Sequence, residues 1–204
     1  MKLYLVTDRD IAGGRDLPQI VRQAVEGGVT MVQLREKNTD TRAFIALAQR
    51  LKELLAPLGV PLIINDRVDV ALASDADGVH IGQSDMPYNI ARRLLGPDKT
   101  IGLSVENFEQ IALANSLDVD YIGVSPVFAT PTKTDTAEPF GLEGLRRAVR
   151  ESVHPVVGIG GMNAGTASEV IAAGAAGIAV VSAIIGAASP KDAARELIEK
   201  IDII

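Results

Sequence analysis

The sequence predicts a single-domain (β/α)8 TIM barrel over residues 1–204, an α/β fold. Eight short β-branched runs alternate with amphipathic helical patterns, and the strand runs are almost continuously apolar. Such strands belong to a parallel sheet that helices cover. Eight units of about 25 residues suit a compact barrel, whereas a doubly wound open sheet usually has about five or six strands.

The predicted strands cover residues 3–7, 31–34, 61–64, 78–81, 100–103, 121–124, 155–159 and 177–181. Two of the intervening helices are especially clear. One follows the capping candidates Thr39 and Asp40, and the last begins with Ser189 as N-cap, Pro190 at its first position and Asp192 at its third. Their apolar stripes are Phe44, Leu47, Ala48, Leu51 and Leu55 in the first helix and Ala194, Leu197, Ile198 and Ile201 in the second.

Composition narrows the function classes. The net charge of −6 argues against a nucleic-acid or anionic membrane partner. The absence of cysteine excludes disulfides and thiolate-bound zinc, and the N-terminus has no secretory pattern, so we expect a cytoplasmic protein. Residues 170–190 carry no charge and are long enough to span a bilayer, but they are rich in Ala and Gly, and we predict a helix end, a strand and a loop there instead.

In a TIM barrel, chemistry occurs at the C-terminal ends of the strands, so candidate site residues are expected just beyond those ends. After the second strand the chain reads Gln33-Leu34-Arg35-Glu36-Lys37. Arg offers a planar fork and Lys a mobile point charge to phosphate oxygens, so this segment suits a multiply charged anion. The alternative is a solvated loop in which the cations pair with Glu36.

Carboxylates follow the third and fourth strands, in Asn65-Asp66-Arg67 and Gly82-Gln83-Ser84-Asp85. Neighbouring strands lie about 4.8 Å apart, so Asp66 and Asp85 can face one Mg²⁺ ion, which takes one or two carboxylates and completes its shell with water and phosphate. The alternative is that these side chains cap the following helices. Their pairing beside a cationic loop favours the metal site.

Four later segments also follow predicted strand ends. Ser104 follows the fifth strand, where a turn or cap is the alternative, and residues 125–135 form a hydroxyl-rich loop with Lys133 that suits a lid or a surface excursion. Gly160-Gly161 and Val181-Ser182 follow the last two strands, where barrels often bind phosphate. The glycine pattern lacks the third glycine of a dinucleotide fingerprint. His80 and His154 are both interpreted as structural.

Five motifs carry a family resemblance that covers nearly the whole chain. They are Gln33-Leu34-Arg35-Glu36-Lys37, Ile64-Asn65-Asp66-Arg67, Gly78-Val79-His80-Ile81-Gly82-Gln83-Ser84-Asp85, Thr130-Pro131-Thr132-Lys133 and Gly158-Ile159-Gly160-Gly161. In this order and at these separations they resemble the thiamine phosphate synthase family. The resemblance implies a TIM barrel that joins hydroxymethylpyrimidine diphosphate to a thiazole phosphate, generally the carboxylated tautomer, and releases pyrophosphate.

The resemblance also implies roles for individual residues. Asp66 and Asp85 would hold one Mg²⁺ per active site, and Arg35, Lys37, Lys133 and Ser104 would be catalytic. The pyrimidine diphosphate would be held by Gln33, Leu34, Arg35, Glu36, Lys37, Asn65, Ser104 and Lys133. The thiazole phosphate would be held by Thr130, Pro131, Thr132, Gly160 or Gly161, Val181 and Ser182.

The implied reaction needs no protein nucleophile, because diphosphate can depart from the aminopyrimidine methylene before the thiazole nitrogen attacks the carbocation. This agrees with a chain that has no cysteine and no serine beside an obvious base. Two alternatives remain, a thiazole tautomerase on the same barrel and a non-catalytic thiamine-phosphate-binding barrel. The cationic loop, the aspartate pair and Lys133 together favour the synthase. The oligomeric state stays open.

Overall fold

The molecule is a closed barrel of parallel strands. The computed structural model describes residues 2–129 and 138–202, and over these residues eight strands pair in chain order, with the eighth closing onto the first. The predicted TIM barrel is confirmed. Four predicted site residues lie outside the described residues: Thr130, Pro131, Thr132 and Lys133.

Each observed strand lies within two residues of its predicted bounds. The strands are β1 Leu3–Val6, β2 Met31–Leu34, β3 Leu62–Asn65, β4 Gly78–Ile81, β5 Thr100–Val105, β6 Tyr121–Val124, β7 Val156–Ile159 and β8 Gly177–Val180. The pairing register places Asn65 beside His80 and Ser104 beside Gly123. The polar residues Asn65, His80 and Ser104 thus lie on three consecutive strands.

Helices follow the strands and form the outer layer. They are α1 Arg9–Ala12, α2 Leu17–Glu26, α3 Thr41–Leu55, α4 Val68–Ala73, α5 Tyr88–Leu95, α6 Phe108–Ala114, α7 Gly141–Glu151, α8 Ala167–Ala172, α9 Ser182–Ile185 and α10 Pro190–Asp202, with a 3₁₀ turn at Ala56–Leu58. Two predicted helix starts are confirmed. Asp40 Oδ1 accepts from the Ala43 N–H, and Ser189 Oγ accepts from the Asp192 N–H while donating to its carboxylate.

The core has two layers because side chains alternate along each strand. Leu3 and Leu5 of β1 point outward and pack in the large cluster between strands and helices. Tyr4 and Val6 point inward, into a smaller cluster with residues of five other strands. The inward layer is the floor of the cavity described below.

The uncharged segment 170–190 folds into the end of α8, strand β8 and the short helix α9. The predicted helix end and strand are confirmed, and part of the predicted loop is helical. Among the described residues, every helix is too short or too polar to cross a bilayer.

Candidate active site

A cavity of about 1000 Å³ opens at the C-terminal ends of the strands. Its position is the one that the barrel fold assigns to chemistry. Most of the predicted site residues that the structure describes line it: Gln33, Arg35, Lys37, Asn65, Asp66, Asp85, Ser104, Gly160, Gly161, Val181 and Ser182. Residues from distant parts of the sequence therefore share one pocket.

Alternate side chains of residues 33–37, at the end of β2 and just after it, face opposite sides of the barrel wall. Gln33, Arg35 and Lys37 line the cavity, whereas Leu34 is fully buried in the outer layer. Glu36 also faces away, with a side chain 1% exposed whose Oε2 accepts from Arg9 Nε at 2.8 Å and from Thr39 Oγ1 at 2.6 Å. Glu36 therefore binds the neighbouring loop instead of neutralising the cations of its own segment.

Arg35 is fixed from two sides by the loop after β1. Its backbone N–H donates to Thr7 Oγ1 at 3.0 Å, and its guanidinium Nη1 lies 3.2 Å from Asp8 Oδ2. The other oxygen of Asp8 caps α1 by accepting from the N–H groups of Asp10 and Ile11. This arrangement holds the guanidinium at the cavity wall before any ligand arrives.

Asp66 and Asp85 interact across the cavity mouth. Burial raises the pKa of Asp66 to about 7, with further increases from a hydrogen bond and charge repulsion with Asp85. The charge of Arg35 and a hydrogen bond from Asn65 act in the opposite direction. Asp66 also has the left-handed φ of 62°, an uncommon conformation for a residue other than glycine.

Neither aspartate caps a helix, so the structural alternative from the sequence does not apply. The N-caps of α4 and α5 are Arg67 and Pro87, neither with a side-chain cap bond, and Asp85 Oδ2 instead accepts from the Gly82 N–H at 2.6 Å. Two carboxylates held together without a cation destabilise each other. This is the donor set that Mg²⁺ would relieve, and water and phosphate would complete its shell.

A larger metal site is not present in the described ranges 2–129 and 138–202, where no three His, Asp or Glu side chains are grouped to hold an ion. Zinc and iron sites usually need three or four such protein ligands. A pair of carboxylates therefore fits Mg²⁺ better than these metals.

The cavity floor holds a chain of hydrogen bonds between five side chains from five strands. Gln33 Nε2 donates to Tyr4 OH at 2.8 Å, and Tyr4 OH lies 2.8 Å from Tyr121 OH. Tyr121 OH lies 3.0 Å from His80 Nδ1, and His80 Nε2 lies 2.8 Å from Ser104 Oγ. Burial raises the pKa of both tyrosines, so both hydroxyls remain protonated.

His80 is neutral at physiological pH. Burial lowers the pKa of His80 to about 4, although the charge of Asp85 acts in the opposite direction. Its ring stacks on Tyr121 at a centroid distance of 5.5 Å. Gly102 provides the space for this stack, because a Cβ there would lie 2.1 Å from the Tyr121 ring.

On the side of β7 and β8, the cavity wall includes a glycine turn. Gly160 and Gly161 have φ of 96° and 69°, conformations that L side chains rarely adopt. A Cβ on Gly161 would lie 2.7 Å from Phe128 Cβ, so this turn also packs tightly against the segment after β6. Val181 and Ser182 join it from the start of α9. This corner is where barrels commonly bind phosphate.

Sequence reasoning missed several residues of the site. Tyr4 and Tyr121 line the cavity, His80 belongs to it as well as to the fold, and Asp8 positions Arg35. Two signals were available. Asp8 follows a strand end as Asp66 and Asp85 do, and Tyr4 is a polar residue at an inward position of an apolar strand.

Comparisons with known proteins agree with this geometry. The family model described as thiamine monophosphate synthase matches residues 3–184. A thiamine-phosphate synthase of Albidiferax ferrireducens is 59% identical and covers 100% of this chain and 93% of the relative. One of Vibrio campbellii is 56% identical over 97% of this chain and 96% of the relative.

The fold comparison gives the same result. A solved structure of thiamine phosphate pyrophosphorylase from Pyrococcus furiosus superposes with a TM-score of 0.91 at 40% identity, covering 99% of this chain and 96% of that one. The resemblance found in the sequence and the predicted enzyme class, a transferase, are confirmed by these relatives. The chain therefore belongs to the thiamine monophosphate synthase family.

Proposed function

We propose that the cavity couples hydroxymethylpyrimidine diphosphate to a thiazole phosphate, giving thiamine phosphate and pyrophosphate. One observation carries the proposal: the cationic and carboxylate side chains after β2, β3 and β4 share one cavity with the glycine corner after β7 and β8. A cavity of about 1000 Å³ lies at the upper end of small-molecule sites. It has room for two phosphorylated substrates at once.

Arg35 and Lys37 stabilise the departing diphosphate, and Lys133, outside the described residues, is proposed to assist them. Arg35 contributes a preorganised charge because Asp8 and Thr7 hold it in place. Asp66 and Asp85 would hold one Mg²⁺, which when bound neutralises diphosphate oxygens. The C–O bond to diphosphate breaks first, and the thiazole nitrogen then attacks the pyrimidine carbocation.

The remaining residues bind and orient the substrates. Gln33, Asn65 and Ser104 hold the pyrimidine diphosphate on the side of β2 to β5, and Gly160, Gly161, Val181 and Ser182 hold the thiazole phosphate. Holding two reactants in one pocket replaces a bimolecular collision with an oriented reaction. Thr130, Pro131 and Thr132, outside the described residues, are proposed to bind the thiazole phosphate. Leu34 and Glu36 would act only through the backbone of their segment, since their side chains face away.

A thiazole tautomerase and a non-catalytic thiamine-phosphate-binding barrel are the alternatives. A tautomerase handles no diphosphate and has no need for Arg35, Asp66 and Asp85 at one wall. A binding protein has no need for two carboxylates that repel each other. The site therefore favours the synthase. A cytoplasmic location stays a prediction.

The test is to mix the purified protein with hydroxymethylpyrimidine diphosphate, carboxythiazole phosphate and Mg²⁺ and to measure pyrophosphate and thiamine phosphate. We expect one pyrophosphate per thiamine phosphate, and no product in EDTA. Isomerisation of the thiazole phosphate without pyrophosphate would establish the tautomerase instead. Saturable binding of thiamine phosphate without turnover would establish the binding protein.

A further inference from the structure

The hydrogen-bond chain on the cavity floor has a direction that its members determine. The Gln33 amide nitrogen is only a donor, so Tyr4 OH accepts there. The acceptor within reach of the Tyr4 hydrogen is Tyr121 OH, at 2.8 Å, and the bond is assigned in that direction. Tyr121 OH then donates to His80 Nδ1. A neutral imidazole whose Nδ1 accepts a hydrogen bond carries its hydrogen on Nε2. Nε2 therefore donates to Ser104 Oγ.

The consequence appears at the two ends of the chain. Ser104 Oγ accepts from His80, so the single hydrogen of its hydroxyl is free to point into the cavity. At the other end, the Gln33 amide nitrogen uses one of its two hydrogens on Tyr4 OH, which fixes the orientation of the amide. The hydrogen-bond chain thus ends in a serine hydroxyl on β5 and an oriented amide on β2.

The diphosphate substrate, which rests on the proposed function, requires the same direction for the hydrogen bond between His80 and Ser104. A diphosphate at neutral pH offers mainly acceptor oxygens, so a serine beside it has to donate its hydrogen. Ser104 then has no hydrogen left for His80 Nε2, and it can only accept from that nitrogen. Both ends of the hydrogen-bond chain therefore place the histidine hydrogen on Nε2.

The strands make room for this chain. A Cβ on Gly102 would lie 2.6 Å from His80 Nδ1 as well as against the Tyr121 ring, and a Cβ on Gly123 would lie 3.3 Å from His80 Cε1. Gly102 on β5 pairs with both His80 and Tyr121, and Gly123 lies on β6, the strand of Tyr121. The close approach of the two rings is therefore built into β5 and β6.

We propose that Tyr4, Tyr121 and His80 are positioning residues, which fix the His80 Nε2–H tautomer and thereby hold the Ser104 hydroxyl as a donor to the diphosphate substrate. They act through Gln33 and Ser104, at the two ends of the chain, and not by proton transfer to the substrates.

Nitrogen-15 NMR of the two histidines tests the tautomer in the free protein. The protein has 2 His, so the variant His154→Gln assigns the two sets of signals. His154 lies outside the cavity, with Nε2 3.0 Å from the Ala114 carbonyl oxygen. We expect His80 to carry its hydrogen on Nε2 with Nδ1 unprotonated at pH 7. A hydrogen on Nδ1, or on both nitrogens, would overturn the proposal. This result does not depend on whether the protein is a synthase.

Tyr121→Phe tests the consequence for catalysis, with Tyr88→Phe as the matched control. Tyr88 also donates one hydrogen bond, to the Asp118 carbonyl oxygen at 2.8 Å, but it lies outside the cavity. For Tyr121→Phe we expect His80 signals of a tautomer mixture and kcat/KM for the diphosphate substrate lower by about tenfold, the equivalent of one typical hydrogen bond. The KM for the thiazole phosphate should stay unchanged.

Three results would overturn the proposal: an unchanged tautomer in Tyr121→Phe, unchanged kinetics, or an equal loss for both substrates. If the thermal midpoint shows that the variant does not fold, the His80 tautomer of the unmodified protein still tests the proposal. If the unmodified protein releases no pyrophosphate, the proposed function fails, and the NMR result stands separately.

Discussion

The two sides of the cavity present different chemical groups. The side formed by β2, β3 and β4 presents ionisable groups, Arg35, Asp66 and Asp85, each just beyond a strand end. On the side formed by β7 and β8, the lining residues within the described chain are apolar or neutral, and the turn is made by Gly160 and Gly161. One side acts through side-chain charge and the other through exposed backbone.

The difference teaches how each side tolerates change. The charged side depends on side chains that line the cavity and belong to neither core cluster. A backbone side depends on conformations that only glycine adopts readily, and on a turn that already contacts Phe128. Substitution on the first side should change chemistry, and substitution on the second should change stability and binding together.

The largest effect is expected from Asp66→Asn or Asp85→Asn on the charged side. Each change removes one carboxylate from the pair, and we expect the Mg²⁺ concentration for half-maximal activity to rise by about 100-fold, since removing even outer-shell partners of a metal costs roughly 10–100-fold in affinity. Asp75→Asn is the control, because Asp75 also has a positive φ but pairs with Lys99 outside the cavity. Unchanged Mg²⁺ dependence in both variants would remove the aspartates as ligands.

The sequence predicted the charged side better than the network beneath it, for a physical reason. Arg35, Asp66 and Asp85 follow strand ends, so the barrel topology alone brings them together. Tyr4, His80 and Tyr121 are brought together by inward orientation across the barrel, which depends on strand tilt and on space left by neighbours such as Gly102. One sequence shows the inward polar residues but not which of them touch.

The backbone side was predicted only as a location. The repeated glycines after β7 indicated a phosphate corner, and the structure adds that both have positive φ and that both approach the segment after β6. Alternation also explains why Leu34 and Glu36, taken as part of a contiguous motif, face away from the cavity while Gln33 and Arg35 line it. A contiguous sequence motif does not by itself show which of its residues face the cavity and which face away.

A smaller effect is expected from Gly161→Ala on the backbone side, compared with Gly59→Ala. The two glycines have φ of 69° and 66°, but a Cβ at Gly59 has no neighbour within 4 Å, whereas at Gly161 it meets Phe128. Both variants should lose about 1–2 kcal/mol to backbone strain, a fall of roughly 4 °C in Tm for a chain of this size. Only Gly161→Ala should lose more than this and raise the KM for the thiazole phosphate. Equal behaviour of the two variants would contradict a functional role for the close approach.

A third effect is a pH dependence of stability in the metal-free protein. The folded protein holds a proton on Asp66 up to pH about 7, whereas an unfolded aspartate loses it near 3.8. The folded state thus binds more protons between these values, and the free energy of unfolding should fall as the pH rises from about 4 to about 7 and level off above. Urea unfolding at several pH values measures this slope.

Asp66→Asn should remove that contribution to the slope, because the amide does not titrate. Asp75→Asn should leave it in place, since Lys99 lowers the pKa of Asp75 and that carboxylate is already ionised over this range. The proposed Mg²⁺ would bind the ionised pair, so the stabilisation that it provides should increase with pH up to about 7 and then become constant. A slope that survives in Asp66→Asn would assign the titration to another group and leave the two sides of the cavity without this electrostatic difference.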